Sequence, residues 1–222
     1  MALVNNISVY ISSSIRLTLV AAVVCIMVSC NTYPDLDSRL EEDLVDITKY
    51  DLNTDFTTFR TFAIVDSVTC ISGRDTIRIL DDQARALINQ VVMNMVERGF
   101  ILVDRKTGKP ELGINVGVVK VTNVSLYYPG WYWDYGWYDP SYWGYPAYYY
   151  WYPYYPPVVS SYTSGTVIID MLDLKNASSH DNKLYIVWVA IIRGLMTGYH
   201  TTQDILGNVD QCFTQTPQIR AR

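Results

Sequence analysis

"DDQARALINQVVMNMVERGFILV", residues 81–103, changes its hydrophobic period partway along, and that change decides the fold class. Ala84, Leu87, Ile88, Val91, Val92, Met95 and Val96 recur at spacings of three and four, the pattern of one buried helix face. Asp81 and Asp82 offer an N-cap, since a short carboxylate can accept from the unpaired N–H groups of a first helical turn. Gly99 stands where a helix exit wants a left-handed residue. "FILV" at 100–103 then reads as a strand. A helix feeding directly into a strand places both in one mixed domain.

Outward from there, the other segments are mostly β. "FTTFRTFAIVD", residues 56–66, is aromatic and β-branched enough for a strand ending near Asp66, with folded structure beginning near Phe56. Asp104–Pro110 reads as a turn. In "LGINVGVVKVTNVSL", residues 112–126, Leu112, Ile114, Val116 and Val118 alternate, and the phase then slips to Val119 and Val121. Such a slip predicts a β-bulge. "GTVIIDMLDLK" at 165–175 and "KLYIVWVAIIRG" at 183–194 are two further strands, joined through "NASSHDN" as an antiparallel meander. Thr201 or Thr202 caps a last helix bearing Ile205, Leu206, Val209, Cys212 and Phe213, ended before Pro217, with 218–222 as a tail. The expected fold is α+β: two layers, a mostly antiparallel sheet and two packed helices.

The N-terminus belongs to targeting. "LTLVAAVVCIM", residues 17–27, is an eleven-residue apolar run after Arg16. A spanning helix needs roughly twenty apolar residues, so the run fits the core of a secretory signal at 1–29. Its ending, "MVSC", resembles a bacterial lipobox, with Met27 where Leu is commoner. Acylation there needs a thiol, and Cys30 supplies it. A plain signal peptide or a short anchor is the alternative. Residues 1–15 carry no charge and make an overlong leader, so the true start is open. Asn31 after the Cys leans towards the outer membrane, on either its periplasmic or its surface face.

The chain carries 17 Lys and Arg against 22 Asp and Glu, and cleavage before Cys30 removes only Arg16 from that balance. An acidic chain without a basic cluster argues against nucleic acid as a partner and against electrostatic docking on anionic lipid. Membrane attachment would instead run through acylated Cys30. Residues 31–50 hold six acids and two bases with no sustained apolar face, which reads, with Cys30, as an acidic tether over 30–50. Cys70 and Cys212 remain after processing, either as a disulfide or as two small buried hydrophobes.

"DFTTFRTFAIVD", "VERGF", "PELGINVGV", "GTVIIDMLD" and "VWVAIIRGLMTG" together resemble the successive motifs of the domain of unknown function 4136 family, from about Asp51 to Pro217. The similarity is strongest to its Bacteroidetes lipoprotein variant, in which a Tyr/Trp-rich segment also precedes the "GT-V-I-D" strand. The resemblance implies an α+β envelope lipoprotein and no reaction.

Residue by residue, no catalytic constellation emerges. His180 and His200 lie in turns or loops without a second ligand at metal spacing, so neither a metal nor a cofactor is expected. Asp170 and Asp173 are three apart on a strand and point to opposite faces, which suits solvation or turn bonding. No nucleophile elbow marks a Ser, and "SGRD" and "TGKP" lack the second glycine of a phosphate cradle.

"YYPGWYWDYGWYDPSYWGYPAYYYWYPYYPP", residues 127–157, is different in kind, with thirteen Tyr, five Trp and six Pro. Pro this dense forbids a continuous helix and interrupts any ladder, so the stretch reads as an insert outside the core. Three readings compete: a low-complexity cover with no ligand, glycan binding, and docking to an envelope protein or the lipid headgroup zone. Trp131, Trp133, Trp137, Trp143 and Trp151 are the candidate binding residues, as rings that stack on sugar C–H faces or anchor an interface. Asp134 and Asp139 could take sugar hydroxyls; a glycosidase pair would need them rigidly spaced. The expected function is non-enzymatic binding or scaffolding, with a glycan-binding surface lipoprotein as the alternative.

Overall fold

The computed structural model describes residues 45–72, 75–120, 139–146, 150–153, 165–179, 183–193 and 201–222, all within one compact unit, Leu40–Arg222. Among them are nine strands and two α-helices. The order is β1 (Val45–Tyr50), β2 (Thr61–Ile64), β3 (Val68–Ser72), β4 (Asp75–Ile79), α1 (Asp82–Glu97), β5 (Ile101–Leu102), β6 (Leu112–Val119), β7 (Tyr150–Pro153), β8 (Thr166–Asp173), β9 (Lys183–Arg193) and α2 (Thr202–Thr214). The strands form one open mixed sheet whose main path runs β1-β9-β8-β6-β2-β5. Its long ladders are antiparallel, whereas the parallel pairings β2–β5, β2–β6, β3–β6 and β7–β9 span at most four residues each. The class is α+β, as the change of period predicts.

Helix α1 follows its sequence signals closely. Asp81 is the N-cap, its Oδ1 accepting from Ala84 N at 2.8 Å, and Gly99 leaves the helix at φ +87°. Ala84, Leu87, Val91 and Met95 are buried. Val96, expected beside them, is 50 % exposed, because one residue past Met95 is about 100° around the helix. Helix α2 opens with a capping box: Asp204 N donates to Thr201 Oγ1, and Thr201 N donates back to Asp204 Oδ2. The two helices are tied by Asp210, whose Oδ1 accepts from Gln90 Nε2 and Asn94 Nδ2, both at 2.6 Å.

Register fixes which sheet face the helices cover. Ile114 opposes Met171, which opposes Trp188, and the Trp188 ring lies 4.8 Å from that of Phe213 on α2. Leu112, Ile114 and Val116 therefore face the helices, and Gly113, Asn115 and Gly117 face away. Every residue of β8 is buried, so both faces are covered there.

Several expectations need correction. β1 lies inside the stretch read as tether: Val45–Tyr50 pairs with Trp188–Arg193, so the fold begins before Phe56. Only 61–64 of the run 56–66 is strand; Phe56–Thr58 is a 3-10 turn. The bulge expected at Val118–Val119 is absent, since β6 keeps one register with β8 from Leu112 to Val119. The irregularities sit in its neighbours. Residues 65–68, between β2 and β3, face only 115 and 116 of β6, and a slip at Met171/Leu172 leaves Val187 of β9 as the extra residue. The 218–222 stretch is no loose tail: Ile219 is fully buried and Ala221 N donates to Arg98 O at 2.9 Å. Cys70 and Cys212 are separate buried thiols, not a disulfide.

Candidate binding site: the aromatic insert on the second sheet face

Within the insert, Asp139–Pro146 folds by local grammar. Asp139 caps a 3-10 turn over Pro140–Trp143, its Oδ1 accepting from Ser141 N at 2.9 Å and Ser141 Oγ at 2.6 Å. Pro140 suits the first helical position, where no N–H is needed. Gly144 ends the turn at φ +84°, and Tyr145 N returns to Pro140 O at 3.0 Å. A D-P-S-Y-W-G run therefore makes a rigid knuckle.

This knuckle is seated in the core. Trp143 is 7 % exposed and belongs to the main hydrophobic cluster. It lies over Gly113, where a Cβ would come within 3.2 Å of Trp143 Cδ2 and Cε2 and 3.0 Å of Leu174 Cδ1. The Tyr145 hydroxyl donates to Leu174 O at 2.5 Å. The insert also supplies β7, whose Tyr150–Pro153 pairs in parallel with Lys183–Ile186 of β9.

Tyr142 gathers the charged groups. Its ring meets Trp143 edge-on, with centroids 5.1 Å apart. Its hydroxyl accepts from Asp66 N at 3.0 Å. Arg105 stacks with Cζ 3.9 Å from the ring centroid and donates from Nη1 to the Tyr142 carbonyl, while Arg78 Cζ lies 5.0 Å from the same centroid. Burial raises the Tyr142 pKa and the Asp66 carboxylate adds to the rise, against the Asp66 N–H and the two guanidiniums.

The sequence matches the domain of unknown function family (DUF4136) over residues 46–218. The chain belongs to the DUF4136 family. A solved DUF4136 family protein from Bacteroides thetaiotaomicron is similar at 28 % identity and TM-score 0.68, covering 81 % of this chain and 98 % of that one. Two PelC dodecamers from Paraburkholderia phytofirmans match at 8 % identity and TM-score 0.40, covering 81 % of this chain and 99 % and 100 % of theirs. No curated protein matches the chain.

In this DUF4136 chain the candidate residues separate. Trp143, expected as an exposed stacking group, is buried, because the side-chain-free Gly113 leaves a seat for its ring. Trp151 lies in β7. Trp131, Trp133, Trp137, Asp134, His180, His200 and the lipid-attachment candidate Cys30 fall outside the described residues. Asp139 is engaged through Oδ1 as the cap of the 3-10 turn. Asp170 and Asp173 do face opposite ways, but both are buried, and Asp173 bonds Asn176 N and Nδ2 at 2.9 and 2.7 Å. No group of metal-ligating residues occurs among the described residues, and no helix among them is long and apolar enough to cross a membrane.

Sequence reasoning missed Gly113, Tyr142, Arg78 and Arg105. A glycine inside a strand marks close approach by another part of the chain, and that signal was available for Gly113. The cap-proline-glycine order of 139–144 was available for Tyr142. Nothing in the sequence brings Arg78 and Arg105 together.

Proposed function

We propose that this DUF4136 chain is a non-enzymatic binding or scaffolding module of the cell envelope, tethered through acylated Cys30, with the insert as its recognition element. The observation that carries the reading is the seating of the Asp139–Pro146 knuckle through Trp143 and Tyr145. An aromatic stretch fixed to a sheet presents its rings with less ordering entropy lost on binding than a loose loop would. Asp139 and Asp173 serve a cap and a turn, which favours a structural over a catalytic role for these carboxylates. The lipobox-like "MVSC" supports the anchor, and Asn31 supports the outer membrane.

The test has two arms. Cys30→Ser should abolish incorporation of labelled fatty acid, and unchanged labelling removes the anchor. Photo-crosslinkers placed at Trp131, Trp133 or Trp137 in intact envelopes should capture one recurrent species, protein or glycan. A random product distribution removes the binding module. A glycan-binding surface lipoprotein is the second reading, favoured by thirteen Tyr and five Trp in residues 127–157.

A further inference from the structure

Arg78 and Arg105 are two cations on one ring, in a chain with more acids than bases. Among the described residues no ion pair joins either guanidinium to a carboxylate. Arg105 commits one of its N–H groups to the Tyr142 carbonyl, and the Arg78 guanidinium makes no hydrogen bond among the described residues. A guanidinium stacked on an aromatic face keeps its in-plane N–H edge available, and that edge matches a carboxylate or phosphate in two parallel bonds.

The neighbouring carboxylates are engaged locally through one oxygen each and bridge neither guanidinium. Asp104 turns its Oδ1 to Lys106 N, Thr107 N and Thr107 Oγ1 within its own turn. Asp66, whose carboxylate raises the Tyr142 pKa, accepts from Ser67 Oγ. Lys106 and Lys109, in the same loop as Arg105, are exposed and add positive field. The fold sets two guanidiniums on Tyr142, a ring of the insert.

We propose that Arg78 and Arg105, organised by Tyr142, are the recognition point for an anionic saccharide, taking the carboxylate of a uronate or the phosphate of a sugar phosphate. The inference rests on the binding-module reading and gives its ligand a charge. The saccharide follows from the glycan-binding reading of the insert's Tyr/Trp-rich composition, and the oxyanion is the natural partner of the two forks.

Calorimetric titration of the full chain tests it, with an oligogalacturonate, its carboxyl-reduced neutral counterpart, a sugar phosphate and inorganic phosphate as probes. The acidic oligomer or the sugar phosphate should bind at least roughly tenfold more tightly than the neutral oligomer, the scale of one hydrogen bond to a charged group. Affinity should fall as salt rises. Arg78→Gln and Arg105→Gln should each remove most of that preference, and Arg105→Lys should restore it only in part, because an ammonium lacks the fork. Thermal midpoints identify a variant that merely loosens the knuckle. If Arg105→Gln unfolds, Arg78→Gln carries the test. Equal affinity for acidic and neutral oligomers, or a preference that survives both substitutions, overturns the clamp and leaves the binding module standing. Inorganic phosphate binding as tightly as the sugar probes overturns the saccharide assignment. Binding of none of the probes overturns the inference, and the crosslinking test then decides the wider reading separately.

Discussion

Trp143 occupies the space that a side chain at Gly113 would need, 3.2 Å from an ideal Cβ, and so couples a low-complexity insert to the central strand β6. Gly113→Ala brings a Cβ against both the Leu174 Cδ1 methyl and the ring-fusion carbons of that indole, so both must give by a few tenths of an ångström, and the buried indole has the less room to do so. A loss of about 1–3 kcal/mol is expected from overpacking. Trp143→Ala removes the ring and should cost about 3–5 kcal/mol. Denaturant midpoints of the two single variants and the double variant check the coupling. Because both act on one contact, the double variant should lose less than the two single losses added together.

Replacing residues 127–157 by a short Gly/Ser turn is a harsher version of the same experiment. An insert lying wholly outside the core would leave the cooperative transition intact. Here the replacement removes Trp143, Pro140 and the β7 ladder together. Against a total stability of about 5–15 kcal/mol, that loss should leave the shortened chain partly unfolded in water. Circular dichroism with a denaturant titration would decide, and a sharp transition with an unchanged midpoint would refute it.

Much of the scaffold was legible because one signal dominated at each place. The Asp81 cap, the Leu87–Val91–Met95 stripe and Gly99 all specify α1, and the apolar runs of β8 and β9 leave little alternative to strands. β1 was hidden because the acids of residues 41–46 masked an edge strand that needs only one good face. The β3–β4 hairpin was overlooked although Val68–Ser72 and Asp75–Ile79 flank Gly73, a common turn residue. The candidate site was least legible. Its members come from β4, the loop after β5 and the insert, and only the sheet order brings those segments together.

Acid should weaken the contact that closes the start of β6. Glu111 accepts from Arg60 N through Oε2 and pairs with Lys175 at 3.2 Å, joining the start of β2 to the end of β8. Burial pushes its carboxyl up, but the Arg60 N–H and the Lys175 ammonium together hold it below the ordinary value. A lowered folded pKa means that the contribution is present above the unfolded-state carboxylate pKa and is lost as pH falls through the folded value. Glu111→Gln should therefore be less stable than the parent at neutral pH, with the gap closing in acid. Thermal midpoints across that range provide the check; a gap independent of pH would assign the effect to packing.

Tryptophan emission reports directly on how much of the insert is built into the domain. Trp188 is fully buried against Phe213, and Trp143 is nearly so over Gly113. An exposed insert would leave Trp188 as the one protected ring, whereas among the described residues the structure covers Trp143 as well. Single-tryptophan variants, with the other five of the chain's six Trp replaced by Phe, separate the signals. The Trp143-only and Trp188-only proteins should both emit to the blue and resist acrylamide. Adding Gly113→Ala should raise quenching at Trp143 while leaving Trp188 unchanged, because Trp188 faces the helices and Trp143 the opposite side of the sheet. Quenching at Trp143 as strong as that of free indole would mean that the knuckle is not seated, and the rigid platform behind the proposed function would go with it.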